Sequence, residues 1–318
     1  MIDLITFQKM GLSTSEINRI ASHNKLQLNS KDGAVCYDNA KTKNLEQSKG
    51  VFIQIETSQK LKVECSLHKY YNEIRSGLRN NYDLFTMPAA MSAIGLFLKD
   101  KKLPGDMRVY NFEIGLNLNI SSNCRTFLDK IRSIGPPGDE REIYVNPHYK
   151  DERAKTTVFH RHTRKYFKVY DKVFEAEDKR RTDVPDHPIL RIETAFRRVE
   201  NQTIESFFSA ANLSRLVETF FRDWRQLHFI RDIQTPPGTG RAKQAICLHI
   251  LSSSVEDVLR EARARHRAGA LKDWEYRNTR EFVQRDWPVL KSQIAAIQSS
   301  EEQEYRRLLQ SYYQLLKI

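Results

Sequence analysis

Only four cysteines occur in 318 residues, Cys36, Cys65, Cys124 and Cys247, and no two stand at a paired spacing. Neither a zinc site nor a disulfide framework is suggested, and a reducing cytoplasm is the expected compartment. An apolar run of about 18 residues is missing too, which argues against a membrane-spanning helix. The opening MIDLITFQKMG lacks a basic segment followed by an apolar core, so no signal peptide is expected. No short-period repeat or low-complexity tract occurs. With 40% hydrophobic and 29% charged residues, the chain reads as soluble and globular, with one or two domains.

Positive charge is in excess. Lys+Arg number 52 against 40 Asp+Glu, a formal charge of +12. That balance suits a nucleic-acid partner through phosphate neutralisation. A basic surface with no polyanionic partner would look the same by charge alone.

Periodicity supplies the fold class. VFIQIE (51–56) and LKVECSL (61–67) alternate and are joined by TSQK, which predicts a hairpin. HKYYNEIRSGLRN and MPAAMSAIGLFLKDKK read as helices, the second closed by the turn LPGD. In RVYNFEIGLNLNI (108–120), Tyr110, Phe112, Ile114, Leu116, Leu118 and Ile120 fall on one side, and Asn111, Glu113, Gly115, Asn117 and Asn119 on the other. RTFLDKIRSI predicts a helix, GPPGDEREIYVNPHYKDERAK a charged loop, 156–174 a strand and 189–197 another. SRLVETFFRDWRQLHFI is amphipathic, and TPPGTGR (235–241) reads as a linker. Two helices then open with serines, SVEDVLREARARHRAG and SSEEQEYRRLLQSYYQLLKI, the latter with Ser300 and Gln303 at capping-box spacing. The expectation is α+β, a mainly antiparallel sheet with helices on one face over 1–235, followed by a smaller helical C-terminal region over 236–318.

Three polar strand faces carry chemistry. Glu113 lies on one, Glu193 on another, and His160, His162, Arg164, Tyr166, Lys168, Tyr170 and Lys172 on a third. In one sheet these would converge. Carboxylates of this kind suit Mg²⁺ or Mn²⁺, and a tyrosine beside a divalent ion can attack a phosphodiester. Taken singly, each glutamate also reads as a solvated or ion-paired strand residue, and each tyrosine as an ordinary strand residue. HRH (160–162) raises a histidine-metal reading, although Arg161 stands where such motifs carry a bulky apolar residue.

The stretch VYDKVFE (169–175), followed by LRIETAFRR (190–198) and preceded by the acidic strand YNFEIGLNL, resembles the replication initiator endonucleases of filamentous phages. The plasmid rolling-circle initiators are more distantly similar. MIDL and LKVECSLHKYYN look similar as well, and the likeness runs over roughly 50–225. The resemblance implies a nicking and joining enzyme that works through a 5′-phosphotyrosine and leaves a 3′ hydroxyl at a replication origin. It implies Tyr170 as nucleophile, with Lys172 and Glu175 in the catalytic set. Arg191 and Glu193 match the Arg-x-Glu strand. Glu113 matches an upstream acid that is often aspartate in the family. A divalent metal, Mg²⁺ or Mn²⁺ on Glu113 and Glu193, and an antiparallel nuclease core follow from the same likeness. The DNA is expected to be held by Arg164, Lys168, Arg191 and Arg197, with Arg161, Lys165, Lys179, Arg180 and Arg181 further along its backbone. Whether host helicase and polymerase are partners stays open. The alternative is a sequence-specific DNA-binding protein without catalysis, such as a repressor or degenerate initiator. A histidine-metal relaxase built on His160 and His162 is a third reading. The arginines Arg260, Arg263, Arg265 and Arg267 suggest duplex DNA as a partner of the C-terminal region.

Overall fold

The computed structural model describes residues 1–31, 34–39, 50–136, 138–157, 162–199, 202–230 and 232–316. The chain runs β1 Ile2–Lys9, α1 Thr14–His23, β2 Gln27–Lys31, β3 Ala34–Asp38, β4 Val51–Glu56, β5 Leu61–Ser66, α2 Leu67–Ser76, α3 Met87–Asp100 and β6 Arg108–Asn119. It continues through α4 Cys124–Lys130, β7 Ile131–Ile134, β8 Arg141–Val145, β9 Ala154–Thr157, β10 Lys165–Asp171, α5 Lys172–Asp178, β11 Ile189–Phe196, β12 Gln202–Thr203, α6 Ile204–Phe207, α7 Ala210–Trp224 and β13 Leu227–Phe229. There follow β14 Asp232–Gln234, α8 Arg241–Ser252, α9 Val255–Arg267, α10 Asp273–Glu281, a π-helical turn, α11 Trp287–Leu290, β15 Ala295–Ile297 and α12 Ser300–Leu316.

The architecture is α+β: a large antiparallel sheet with helices, and a C-terminal helical region. The sheet order is β13-β7-β8-β9-β10-β11-β6-β1-β5-β4-β3-β2, with β12 also on β6. Alternation sends the apolar half of the central strands to one face. Phe167, Val169, Leu190, Ile192, Ile114, Leu116 and Leu118 share one core with Phe97 of α3 and Val217, Phe220 and Trp224 of α7. Phe7 meets Phe97 at 6.5 Å, and Phe167 meets Trp224 edge-on at 5.6 Å. Trp224 satisfies its indole N–H on Thr194 Oγ1 at 3.0 Å, so the largest core ring is buried without an orphaned donor.

Several local expectations change. The single strand over 156–174 is two strands. β9 and β10 pair antiparallel, with Thr156 opposite Lys168, and β10 ends at Asp171. There the Asp171 carboxylate accepts from the N–H groups of Val173 and Phe174 and starts α5, which takes Lys172 out of the strand alternation. The helix RTFLDKIRSI stops at Lys130, because Ile131–Ile134 pairs with β8 and β13. The supposed loop after it contains β8. On β6 the alternation slips at a register irregularity against β1. Val109 is buried and Tyr110 only half-buried, while the phase from Phe112 onward is as expected. Ser299, not Ser300, caps α12 by accepting from Glu302 N–H. The turn SKDG lies partly, and His160 and Arg161 wholly, outside the described residues.

The polypeptide forms two compact units. One comprises Met1–Phe229 together with the chain from Glu304 on, and the other Ile230–Gln303. The last helix contributes Tyr305 and Leu309 to the core of the larger unit, and Tyr305 Oη donates to Trp224 O at 2.9 Å. The smaller unit packs Cys247, Ile250, Val258, Phe282, Val283 and Trp287 together. Its first and last segments, β14 and β15, pair antiparallel with Asp232 opposite Ile297. All four cysteines are buried and free. Among the described residues no helix is long and apolar enough to cross a membrane.

Candidate active site

The register of three adjacent strands sets out the polar face as a grid. Tyr170 of β10 stands opposite Arg191 of β11, which stands opposite Asn117 of β6. The next row is Lys168, Glu193 and Gly115, and the third is Tyr166, Ala195 and Glu113. Two of the nine positions hold residues with little or no side chain, and that is what lets the long ones meet. A Cβ on Gly115 would collide with the Arg191 guanidinium, so the glycine makes room for the arginine to lie across the sheet.

Tyr170, Glu193, Lys168 and Glu113, expected to converge, do so. The Tyr170 hydroxyl donates to Glu193 Oε1 at 2.9 Å. Lys168 Nζ lies 2.6 Å from Glu193 Oε2 and donates to Glu113 Oε2 at 2.9 Å. Arg191 donates to Glu193 Oε1, to Asn117 Oδ1 and to Asp3 Oδ2, each at 3.0 Å. The face is not the open surface that alternation suggested. Arg191 and Glu193 are each only 2% exposed, and only Tyr170, Lys168 and Glu113 keep partial access to solvent.

Arg191 is therefore corrected from a DNA contact to a buried tether. Its nitrogens are spent on three partners, and it fixes the carboxylate that accepts the Tyr170 hydrogen bond. Lys172 and Glu175 form a buried pair, Nζ to Oε2 at 2.6 Å, and Lys179 also holds Glu175. Lys172 lies 5.8 Å from the Tyr170 ring centroid, so it faces the ring, as a cation–π contact. Arg197 stacks over Tyr166 at 5.1 Å and donates to its hydroxyl at 3.3 Å, and Arg164 is exposed. Among the other basic residues expected along a DNA backbone, Lys165 is paired to Asp223 at 2.6 Å, and Arg181 donates to Arg79 O. His162 is exposed. Among the described residues, no group of three or more His, Cys, Asp or Glu is gathered as a metal cage.

Charge follows from these contacts. Burial raises the Glu193 carboxyl, but Lys168 and Arg191 outweigh it and bring it down to about 2. Burial, then the charges of Glu193 and Glu175, push the Tyr170 phenol well above its ordinary value, against the pull of Arg191. Tyrosine is thus a neutral donor on an ionised acceptor. Burial also raises Glu113, and Glu193 adds to the rise while Lys168 opposes it. Lys168 loses to burial but gains more from Glu193 and Glu113, and stays firmly an ammonium.

Residues that sequence reasoning missed complete the shell. Asp3 accepts from Arg191, Ser66 and Asn81. Asn117 donates to the carbonyls of Asn81 and Tyr82 at 2.8 and 2.9 Å, tying β6 to the segment before α3. Lys69 feels both Asp3 and Lys172, and burial lowers it to about 8. Asn117 was legible as a polar-face residue. Asp3 stood in the noted MIDL without a role, and nothing in the sequence singles out Ser66 or Asn81.

The donor chemistry fits a hard divalent ion in kind, since two carboxylates converge on one cationic position. That position is filled by Lys168 Nζ, so an ion and Lys168 would compete for the same oxygens.

No protein-family model and no curated protein matches this chain. Among solved structures, the rolling circle replication initiator protein from Geobacillus stearothermophilus is similar over 76% of this chain and 88% of that one, with a TM-score of 0.40 and 9% sequence identity. A likeness at that level assigns no residue a role.

Proposed function

We propose that the chain is a rolling-circle replication initiator that nicks and rejoins one DNA strand, with Tyr170 as nucleophile. One observation carries the reading: the hydroxyl of the half-buried Tyr170 is hydrogen-bonded to a buried, ionised Glu193 that Arg191 and Lys168 hold in place. Core tyrosines such as Tyr305 find an acceptor too, in that case a backbone carbonyl; Tyr170 differs in that its acceptor is an ionised carboxylate held by two cations.

In the reaction, Tyr170 Oη attacks the phosphorus and passes its proton to Glu193. The new Oη–P bond replaces the P–O3′ bond. Lys168 gives a proton to the departing 3′ oxygen and recovers one from Glu193, which it already touches. Reversal by a 3′ hydroxyl restores the phosphodiester, so one covalent intermediate serves both nicking and joining. Lys172 at the Tyr170 ring favours the developing phenolate, against the opposing charge of Glu175. Glu113 and Glu193 would hold Mg²⁺ or Mn²⁺ in place of the Lys168 ammonium, and the ion supplies neutralisation of phosphodiester charge when bound. Arg164 and Arg197, joined by the 2.8 Å bond from Arg197 N–H to Arg164 O at the Tyr166 end of the β10–β11 pair, would meet the backbone on one side of Tyr170.

The test is incubation with single-stranded DNA of the cognate replicon and Mn²⁺, followed by denaturing gels for a protein-bound 5′ end. The adduct is expected with the native chain. Tyr170→Phe should lower it by several orders of magnitude and keep DNA affinity within about threefold. An adduct that survives in Tyr170→Phe and vanishes in Tyr166→Phe would move the nucleophile to Tyr166. No adduct in either protein, with DNA binding retained, would leave a non-catalytic DNA-binding protein.

A further inference from the structure

Beside the grid lies a cavity of 630 Å³ that the chemistry above does not use. Its walls are the rings of Tyr144, Tyr149 and Tyr166, and two of its lining residues, Lys168 and Arg197, are cations. Among the described residues that line it there is no Asp or Glu. The smaller neighbouring cavity of 280 Å³ is different in kind, being lined by Glu64 and Glu113 as well as by Tyr166 and Arg197.

We infer that the larger cavity is a subsite for one unpaired nucleobase of a single DNA strand, next to the phosphate that Tyr170 attacks. The inference rests on the proposed function and adds the contact that recognises the strand as unpaired. Three features support it. Its size suits a base with its sugar. Tyr144 and Tyr149, from β8 and the chain after it, offer π-faces, and Tyr166 of β10, largely buried with Arg197 over its ring, lines the cavity beside them. Tyr149 is braced by His148 and Phe174, at ring distances of 5.0 and 5.9 Å, and the Tyr144 hydroxyl is held by Glu142. These are fixed stacking surfaces beside cations, the combination that binds single strands through bases and backbone together. Lys168 joins the two sites, since it lines the cavity and also lies between Glu193 and Glu113. A base in the cavity therefore puts its own phosphate within the reach of the reacting groups. In a duplex that base is paired and stacked, and it enters only after leaving the helix.

The experiment compares a thymidine strand of about 20 nucleotides with an abasic strand of equal length and charge, by fluorescence anisotropy on the full chain. The thymidine strand is expected to bind about tenfold tighter or more. Tyr149→Ala should cut that ratio to about threefold or less without changing affinity for the abasic strand, and Tyr149→Phe should preserve it. Tyr144 is 48% exposed, so Tyr144→Ala tests the second ring of that segment without threatening the fold and should cut the ratio in the same way. Equal affinity for the two strands in the native protein, or an unchanged ratio in Tyr144→Ala, would overturn the subsite. The adduct assay keeps this apart from the proposed chemistry. Loss of the base preference with the adduct intact removes only the subsite, and base preference without any adduct removes only the nicking reaction.

Discussion

Glycine at 115 is as much a part of the candidate site as the charges around it. Arg191 crosses the sheet through the space a Cβ would fill. Gly115→Ala is expected to displace that guanidinium, loosen Glu193 and cost about 1–3 kcal/mol of stability, read from denaturant unfolding. Melting behaviour equal to that of the native chain would mean Arg191 does not need the gap. Lys168 makes a second residue-scale test. Its ammonium neutralises Glu113 and Glu193 together, so Lys168→Met leaves two carboxylates facing one another. Mn²⁺ affinity, measured by electron paramagnetic resonance without DNA, should rise by about tenfold or more in Lys168→Met and fall in Glu193→Gln. Unchanged affinity in both variants would take the metal away from these oxygens.

At the scale of elements, the junction between β10 and α5 matters most. One residue, Asp171, ends the strand that carries Tyr170 and starts the helix that carries Lys172 and Glu175. Asp171→Ala should cost about 1 kcal/mol through the lost cap, while Asp171→Asn, which can still accept at the cap, should cost little. Glu175 adds a pH dependence. Burial works against its charge, but Lys172 and Lys179 bring the carboxyl from 4.5 down to about 2. A depressed carboxyl stabilises the fold above its unfolded value and loses that contribution as pH falls toward its folded value. The stability advantage of the native chain over Glu175→Gln, roughly 3 kcal/mol at most by this linkage, should shrink between about pH 5 and about pH 2. An advantage constant over that range would remove the ion pair as its source. The element scale also shows why much of the chain between 124 and 174 misread. β7, β8 and β9 are short, charged and paired across the sheet, so their strand character comes from partners far along the chain.

For the whole molecule, the smaller unit is an insertion, because the chain returns after it to the larger core. Simple truncation after Gly240 would remove Tyr305 and Leu309, both buried there, and should destabilise the larger unit by several kcal/mol. β14 and β15 pair at the base of the insertion, so replacing residues 235–294 by a short Gly-containing turn should leave the larger unit folded. The arginines of α9 have near acids, Arg260 with Asp257 and Arg265 with Glu261 at 3.9 Å, yet all remain on an exposed helix. If they hold duplex DNA, the deletion should weaken duplex binding, make its salt dependence shallower and spare cleavage of a single-stranded oligonucleotide. Equal duplex affinity and salt slope with and without the insertion would leave these helices no part in binding DNA.

What the sequence determined by itself is the alternation. It put Glu113, Asn117, Lys168, Tyr170, Arg191 and Glu193 on polar strand faces and the aliphatic residues between them in the core, because a strand's period of two is local and needs no partner. It also showed the hairpin over 51–66 and the helices α2, α3, α7, α9, α12 and the start of α4, whose apolar spacing lies within a few residues, while α1, α5, α6, α8, α10 and α11 went unread. Only the tertiary structure decided that β6, β10 and β11 are neighbours in one register, that their polar face is largely buried, and that Asp3 from the first strand closes on Arg191. Those depend on pairing between residues as much as 188 positions apart, as Asp3 and Arg191 are. A face that is polar by pattern can be solvent or core. Here opposite charges neutralise one another well enough to leave water, and no local pattern records that a partner will be present.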